Sequence, residues 1–272
     1  MTTTTAPDLA AVTTRQQATW STGDYSIIGA RIALTSEHLI DTADLRSGDR
    51  VLDVACGSGN ASLAAARAGC RVTGVDYVPS LLERSRTRAA AEGLDIDFTT
   101  GDAQALPFED ASFDAAISVF GAMFAPDHRA TAGELLRVTR SGGTIAVANW
   151  TPDGFIGSLL KTVGAHVPPP PGVRPGVLWG EQAHIEELFD AGASAIRNHR
   201  RSYVFRYPSA EAFVEEFRRY YGPVNKAFEA AGDRAQMLND DLLDLVRASD
   251  RRGDAGPIAV PSTYLETVIT RG

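Results

Sequence analysis

Apolar and polar positions change their rhythm twice along this chain. Between Ala18 and Leu45, Ile28, Ile32, Leu39 and Ile40 recur at helical spacing and predict one or two helices. "RSGDR" at 46–50 ends that pattern. Short apolar runs then alternate with amphipathic stretches. They predict strand Val51–Ala55, helix Ser58–Ala68, strand Arg71–Asp76, helix Pro79–Glu92 stopped by Gly93, strand Ile96–Thr99 and strand Phe113–Val119. A helix from His128 to Thr139, a glycine break at 141–143 and strand Thr144–Ala148 complete the series. Strands alternating with helices imply βαβ units and a parallel sheet.

Past Trp150 the pattern changes again. Phe155–Val167 is helical, the proline-rich 168–176 reads as a stiff extended linker, and 181–192 holds a short helix. Asn198–Tyr207 and Ala259–Thr270 read as two more strands. Between them lie two amphipathic helices, Ala210–Tyr221, stopped at Gly222-Pro223, and Gln236–Ser249. With both late strands in the sheet, the chain is a seven-stranded α/β domain. Its parts are an N-terminal helical cap (1–47), a core (48–150), and the end of the sheet (151–272) carrying a helical insertion at about 208–253.

Composition narrows the partners. The 272 residues carry a formal charge of −8, which disfavours a general grip on nucleic-acid phosphates. No apolar run approaches the ~20 residues that span a bilayer. The stretch Met1–Gln17 lacks the regions of a signal peptide and reads as a frayed polar terminus. Two cysteines, Cys56 and Cys70, make neither a disulfide framework nor a metal site, and a reduced cytoplasm is the expected home.

The candidate chemistry sits in "RVLDVACGSGNASLAAARAGCRVTGVDY", Arg50 to Tyr77. A glycine corner between strand and helix lets a ligand approach the backbone, and an acid ending the next strand can accept hydrogen bonds from a ribose diol. Asp76 follows Gly59 by 17 residues, near the spacing of dinucleotide sites. A dinucleotide fingerprint wants a third glycine where Ser62 stands, and Asp53 places a carboxylate where pyrophosphate would be repelled. An ammonium suits that carboxylate. S-adenosylmethionine offers an amino-acid end, a ribose and an adenine without phosphate.

"VLDVACGSGN", "VTGVDY", "GDAQALPFEDASFDAAISVFGAMF" and "ELLRVTRSGGTIAVANW" together resemble the successive motifs of class I S-adenosylmethionine-dependent methyltransferases, in particular the ubiquinone/menaquinone-biosynthesis group. The likeness covers about residues 48–150. It implies a Rossmann-like, mostly parallel seven-stranded sheet with helices on both faces. It also implies roles. Asp53, Gly57 and Gly59 would meet the methionine end, with Asp53 acting through water, and Ala55 would stand where the family has a glycine. Asp76 would hold the ribose, Tyr77 would lie along the adenine, and Asp102 and Ala103 would touch it. Ser118 and Phe120 would flank the methionine portion. The product would be S-adenosylhomocysteine.

The family places its acceptor pocket between the sheet edge and variable caps. Trp20 and Tyr25 are expected to close over the cofactor. Met123, Phe124, Trp150, Trp179 and Tyr221 are candidates to line an aromatic or hydrophobic acceptor site, with Tyr220 competing with Tyr221 for that role. His128 and His166 are the candidate general bases. The expected partner is a small-molecule acceptor, the expected assembly a monomer or homodimer. An amino-methylating nucleic-acid enzyme would carry an Asn/Asp-Pro-Pro-aromatic turn where this chain has Ser118-Val119-Phe120-Gly121. The alternative from another class is a non-catalytic sensor or scaffold binding the same cofactor.

Overall fold

The central apolar run forms β1 (Arg50–Val54), buried from Val51 onward. A strand covered on both faces reads as continuous hydrophobics, which is why it was legible. The structure is a computed structural model describing residues 7–253 and 256–272. Around β1 lie β2 (Arg71–Asp76), β3 (Ile96–Thr100), β4 (Phe113–Val119), β5 (Thr139–Trp150), β6 (Ala193–Tyr207) and β7 (Ile258–Arg271). Their order is β3-β2-β1-β4-β5-β7-β6. Pairs among β1–β5 are parallel, and β7 runs antiparallel to β5 and β6. Strand order reverses at β1, so a crevice opens at the carboxyl ends of β1 and β4, where doubly wound sheets bind ligands.

Helices cover both faces. Three precede β1: α1 (Leu9–Trp20), α2 (Tyr25–Arg31) and α3 (Ala33–Ala43). The crossovers supply α4 (Asn60–Arg67), α5 (Pro79–Glu92) and α6 (His128–Val138), and α7 (Phe155–His166) and α8 (Gln182–Phe189) follow β5. The insertion between β6 and β7 is α9 (Ala210–Tyr220), α10 (Gly222–Ala231) and α11 (Ala235–Ser249). α9 buries Phe213, Val214 and Phe217, with the two phenylalanine rings stacked at 4.1 Å. Each such buried side chain contributes about 1.5–3 kcal/mol.

Four details depart from the sequence pattern. Residues 1–6 of the expected frayed terminus lie outside the described residues, and the rest of it forms α1, capped by Asp8. The glycine break at 141–143 is a bulge inside β5: the register jumps from Phe113↔Thr139 to Ala115↔Thr144. The proline segment ends in a 3-10 turn at Gly176–Gly180. Gly222-Pro223 starts α10 as well as ending α9, because proline at the first helical turn needs no donor.

Candidate active site

Between β1 and α4 the chain makes a tight corner. Ala55, Gly57 and Gly59 all have left-handed φ (53, 55 and 84°), and Phe120, just past β4, has φ 53°. Strained backbone in non-glycine residues gathers at functional sites. These two strand ends touch, since a side chain on Gly121 would place its Cβ 2.3 Å from the Ala55 carbonyl oxygen.

Two buried carboxylates flank the corner. Asp53, 1% exposed, accepts a 2.6 Å hydrogen bond from Ser62 Oγ on α4. Burial lifts its pKa to about 7; the Ser62 hydrogen bonds pull it down and the Asp76 charge pushes it further up. Asp76 accepts from the Gly57 amide through Oδ2 and the Val78 amide through Oδ1, both at 2.8 Å. Burial raises it to about 6 against the pull of those amides and that of Tyr77. A carboxylate has about four lone-pair sites, so Asp76 keeps acceptor capacity beyond these two bonds.

The crevice above is a cleft partly open to solvent, with about 900 Å³ of free space when that open mouth is included. Its lining brings together Trp20, Tyr25, Asp53, Ala55, Gly57, Asp76, Tyr77, Asp102, Ala103, Phe120 and Phe124 from the sequence candidates. Asp102 is held by the backbone N–H of Gln104 at 2.9 Å and its side-chain Nε2 at 3.1 Å. The same Gln104 Nε2 reaches Thr13 Oγ1 at 3.0 Å, tying this turn to α1. α1 also crosses the site through Gln17, whose Nε2 donates to the Tyr77 carbonyl at 2.5 Å. Trp20 packs edge-on against Tyr25, Phe124 and Tyr221, with centroids 5.0–5.5 Å away.

Other candidates lie elsewhere. Gly59 and Ser118 do not line the cavity: Gly59 packs its backbone against Ser85, and Ser118 Oγ donates to the Val54 carbonyl while accepting from the Ala122 amide. Met123 and Trp179 are wholly buried outside it. Trp150 and Tyr221 miss it too, and line a smaller chamber behind it; Tyr220 packs at the core margin. Neither histidine reaches either space. His128, at the start of α6, has Nδ1 2.9 Å from Nε2 of His184 on α8, and burial pulls its pKa to about 4. His166 Nε2 lies 2.7 Å from Asp241 and joins α7 to α11.

Sequence reasoning missed Thr13, Gln16 and Gln104, and read Ser62 only as the replacement of a third glycine, not as the partner of Asp53. Thr13, Gln16 and Trp20 share one face of α1 at i, i+3 and i+7 and line the cavity. Gln16 Oε1 is buried with no hydrogen-bond partner among the described residues. A polar stripe ending in an aromatic was the available signal. Among the described residues no cluster of three or more His, Cys, Asp or Glu can hold a metal.

Residues 51–143 match the methyltransferase-domain family. The chain is 42% identical over 244 residues to the uncharacterized protein Rv1403c of Mycobacterium tuberculosis, covering 88% of this chain and 89% of that one. It is 37% identical over 115 residues to demethylmenaquinone methyltransferase of Thermus thermophilus, covering 42% and 52% respectively. Among solved structures, the YcgJ protein of Bacillus subtilis superposes with a TM-score of 0.59 at 20% identity, covering 88% of this chain and 99% of that one.

Proposed function

The chain belongs to the class I S-adenosylmethionine-dependent methyltransferases, and on that premise we propose that it moves a methyl group from this cofactor to a small apolar or aromatic acceptor. One observation carries the reading. The cavity is lined by three carboxylates, Asp53, Asp76 and Asp102, and by no lysine, arginine or histidine. That donor set suits a ligand with an ammonium, a ribose and an adenine, and is poor for phosphate. When bound, the cofactor supplies an activated methyl on a sulfonium.

The chain's own residues bind, orient and exclude water. Asp53 faces the ammonium through water, and the Gly57 corner receives the methionine backbone. Asp76 accepts from the ribose hydroxyls, Tyr77 lies along the adenine, and Asp102 accepts from the exocyclic amine beside Ala103. Ala55 and Phe120 shape the wall near the sulfonium. Trp20 and Tyr25 close the site from above, and Gln16 Oε1 accepts from the cofactor. Aligning two reactants in a dry site is most of what a sulfonium displacement needs. The caps at 1–47 and 208–253, a core at 48–150, a cytoplasmic home, and a monomer or homodimer acting on a small molecule rather than nucleic acid complete the reading.

Calorimetric titration of S-adenosylhomocysteine into wild type and Asp76→Ala is the test. Micromolar binding by wild type, weakened at least about tenfold in the variant, is expected, since hydrogen bonds to a charged group contribute about 1.5–3 kcal/mol. Absence of binding by wild type would overturn the cofactor assignment. Binding without turnover across a broad acceptor panel would favour a sensor.

A further inference from the structure

The cofactor brings a charge that the cleft lining does not answer. Its amino-acid end is a zwitterion, and Asp53 suits only the ammonium half. The α-carboxylate meets a lining with three carboxylates and no lysine, arginine or histidine. A cation lies one layer back. α5 passes behind the glycine corner and donates to its carbonyls, Ser85 Oγ to Gly57 at 2.9 Å and Arg88 Nη1 to Ser58 at 2.6 Å. Arg88 Nη1 also reaches Asn60 Oδ1 at 2.8 Å. Ser58 and Asn60 line the cleft, and Arg88 does not.

Arg88 has no carboxylate of its own among the described residues. Glu92, one helical turn on, is the acid that spacing would offer it. Arg67 takes both of its oxygens instead, through Nε at 2.7 Å and Nη2 at 2.6 Å. Arg88 is half-buried, and burial lowers its pKa, with Glu92 raising it and Arg67 lowering it again. A guanidinium so placed still keeps its proton at neutral pH. Its charge stands beside the first turn of α4, a positive helix end that no side chain caps. Two positive ends side by side favour an anion between them.

The corner also keeps donors free. Ser58 is 2% exposed, and its hydroxyl accepts from Arg88 at 3.5 Å while donating to no described acceptor. Because the Gly57 carbonyl turns to Ser85, the planar trans peptide points the Ser58 N–H away from α5. Asn60 Nδ2 gives one hydrogen to the Gly29 carbonyl at 2.7 Å and keeps a second. Resting on the methyltransferase reading, we propose that Ser58 and Asn60 seat the cofactor's α-carboxylate, and that Arg88 is the positioning residue that supplies its counter-charge from behind them. Asp53 faces the ammonium, so the corner reads the amino acid as a zwitterion. An adenine nucleoside that lacks this carboxylate leaves Arg88 unbalanced.

The test titrates the full chain by calorimetry with S-adenosylhomocysteine and with S-adenosyl-3-thiopropylamine, the same compound without its carboxylate. Wild type is expected to bind the first at least about tenfold tighter, the size of hydrogen bonds to a charged group. Arg88→Gln keeps a donor for Ser58 and Asn60 but no charge. It should weaken S-adenosylhomocysteine at least about fivefold and leave the thiopropylamine within about twofold, since only the carboxylate feels the lost charge. Arg88→Lys keeps the charge and should hold S-adenosylhomocysteine within about threefold of wild type. Retained thiopropylamine binding shows that the corner of a variant is folded, and the wild-type comparison tests the subsite even if Arg88→Gln does not fold. Equal affinity of wild type for the two ligands would overturn the proposal. So would equal losses of both ligands in Arg88→Gln, unchanged S-adenosylhomocysteine affinity in it, or an Arg88→Lys as weak as Arg88→Gln. Failure of wild type to bind either ligand would instead strike the cofactor assignment.

Discussion

Ser62 Oγ donates a 2.6 Å hydrogen bond to Asp53 Oδ2, the only side-chain hydrogen bond given to that carboxylate among the described residues. Ser62 stands where a dinucleotide fingerprint would have glycine. The residue that argues against a pyrophosphate in the sequence is thus also the one that holds the acid of the corner in place.

Ser62→Ala should therefore act on stability and on binding together. It leaves a buried carboxylate short of a donor, at a cost of about 1–3 kcal/mol. It also moves the Asp53 pKa further up, leaving less carboxylate at neutral pH to meet an ammonium. Thermal melts should drop by several degrees, and S-adenosylhomocysteine affinity at pH 7 should fall more than at pH 8.5. An equal loss at both pH values would show that Ser62 acts only through packing.

Proton linkage gives a second prediction. Asp53 at about 7 and Asp76 at about 6 lie above ordinary carboxylates, so between about pH 4 and 7 the folded chain binds more protons than the unfolded one. Stability from these groups is fully present below pH 4 and is lost as pH rises through their folded pKa values. A cationic ligand reverses the preference, because it needs the carboxylates ionised. Binding of S-adenosylmethionine should weaken about tenfold from pH 8 to pH 6 and release protons near pH 6.5. Calorimetry in two buffers of different ionisation enthalpy measures that release, and equal apparent enthalpies would count against the raised carboxylates.

Most of the fold was legible because the strands are short, buried and separated by glycine or polar corners. β2, α5 and β4 begin and end where the pattern places them. Two of the departures share a cause: glycine and proline were read as stops where tertiary contacts carry the chain through. Gly222 comes so close to α1 that a Cβ would sit 2.4 Å from the Thr19 carbonyl. Gly143 lies against the Asp114 and Arg140 carbonyls inside the β5 bulge. The cofactor corner was readable from local motifs. The roles of Gln16, Gln104 and Ser62 depend on side chains meeting across elements, which no local pattern records.

The two histidines give a third prediction. Removing a general base should cost at least about 10²-fold in turnover. Because His128 and His166 face neither space, His128→Ala and His166→Ala should keep turnover within about twofold. Their effects should appear in melts instead. His166 loses a pair with a largely exposed Asp241, at a cost of up to about 1 kcal/mol. His128 leaves buried His184 without its partner, at about 1–3 kcal/mol. A rate collapse in a variant that melts like wild type would place that histidine in the chemistry.

Gln16 offers a fourth. Its Oε1 has no partner among the described residues, so Gln16→Ala should leave the apo protein's melting temperature nearly unchanged. It should weaken S-adenosylhomocysteine by about 3- to 10-fold, the size of one hydrogen bond. Gln17→Ala, which cuts the tie from α1 to Tyr77, should speed amide exchange along Leu9–Trp20 in the apo protein. If Gln16→Ala binds as wild type does, α1 covers the site without reading it.

The junction of the two strand ends gives the last. Gly121→Ala would push a methyl to 2.3 Å from the Ala55 carbonyl and 2.8 Å from its Cβ, so the ends of β1 and β4 must separate. Ala55 and Phe120 both hold left-handed backbone there, and neither can relax without leaving the cavity wall. A large loss of stability, of the order of 1–3 kcal/mol for overpacking, should come with at least tenfold weaker S-adenosylhomocysteine binding. Gly133→Ala is the matched control: it sits exposed inside α6 with nothing within 4 Å of the added carbon, and should gain about 0.5–1 kcal/mol from helix propensity. Melts and calorimetry on the pair separate a local clash from a general glycine effect. If Gly121→Ala bound the ligand as tightly as Gly133→Ala, contact between the β1 and β4 ends would have no part in shaping the site.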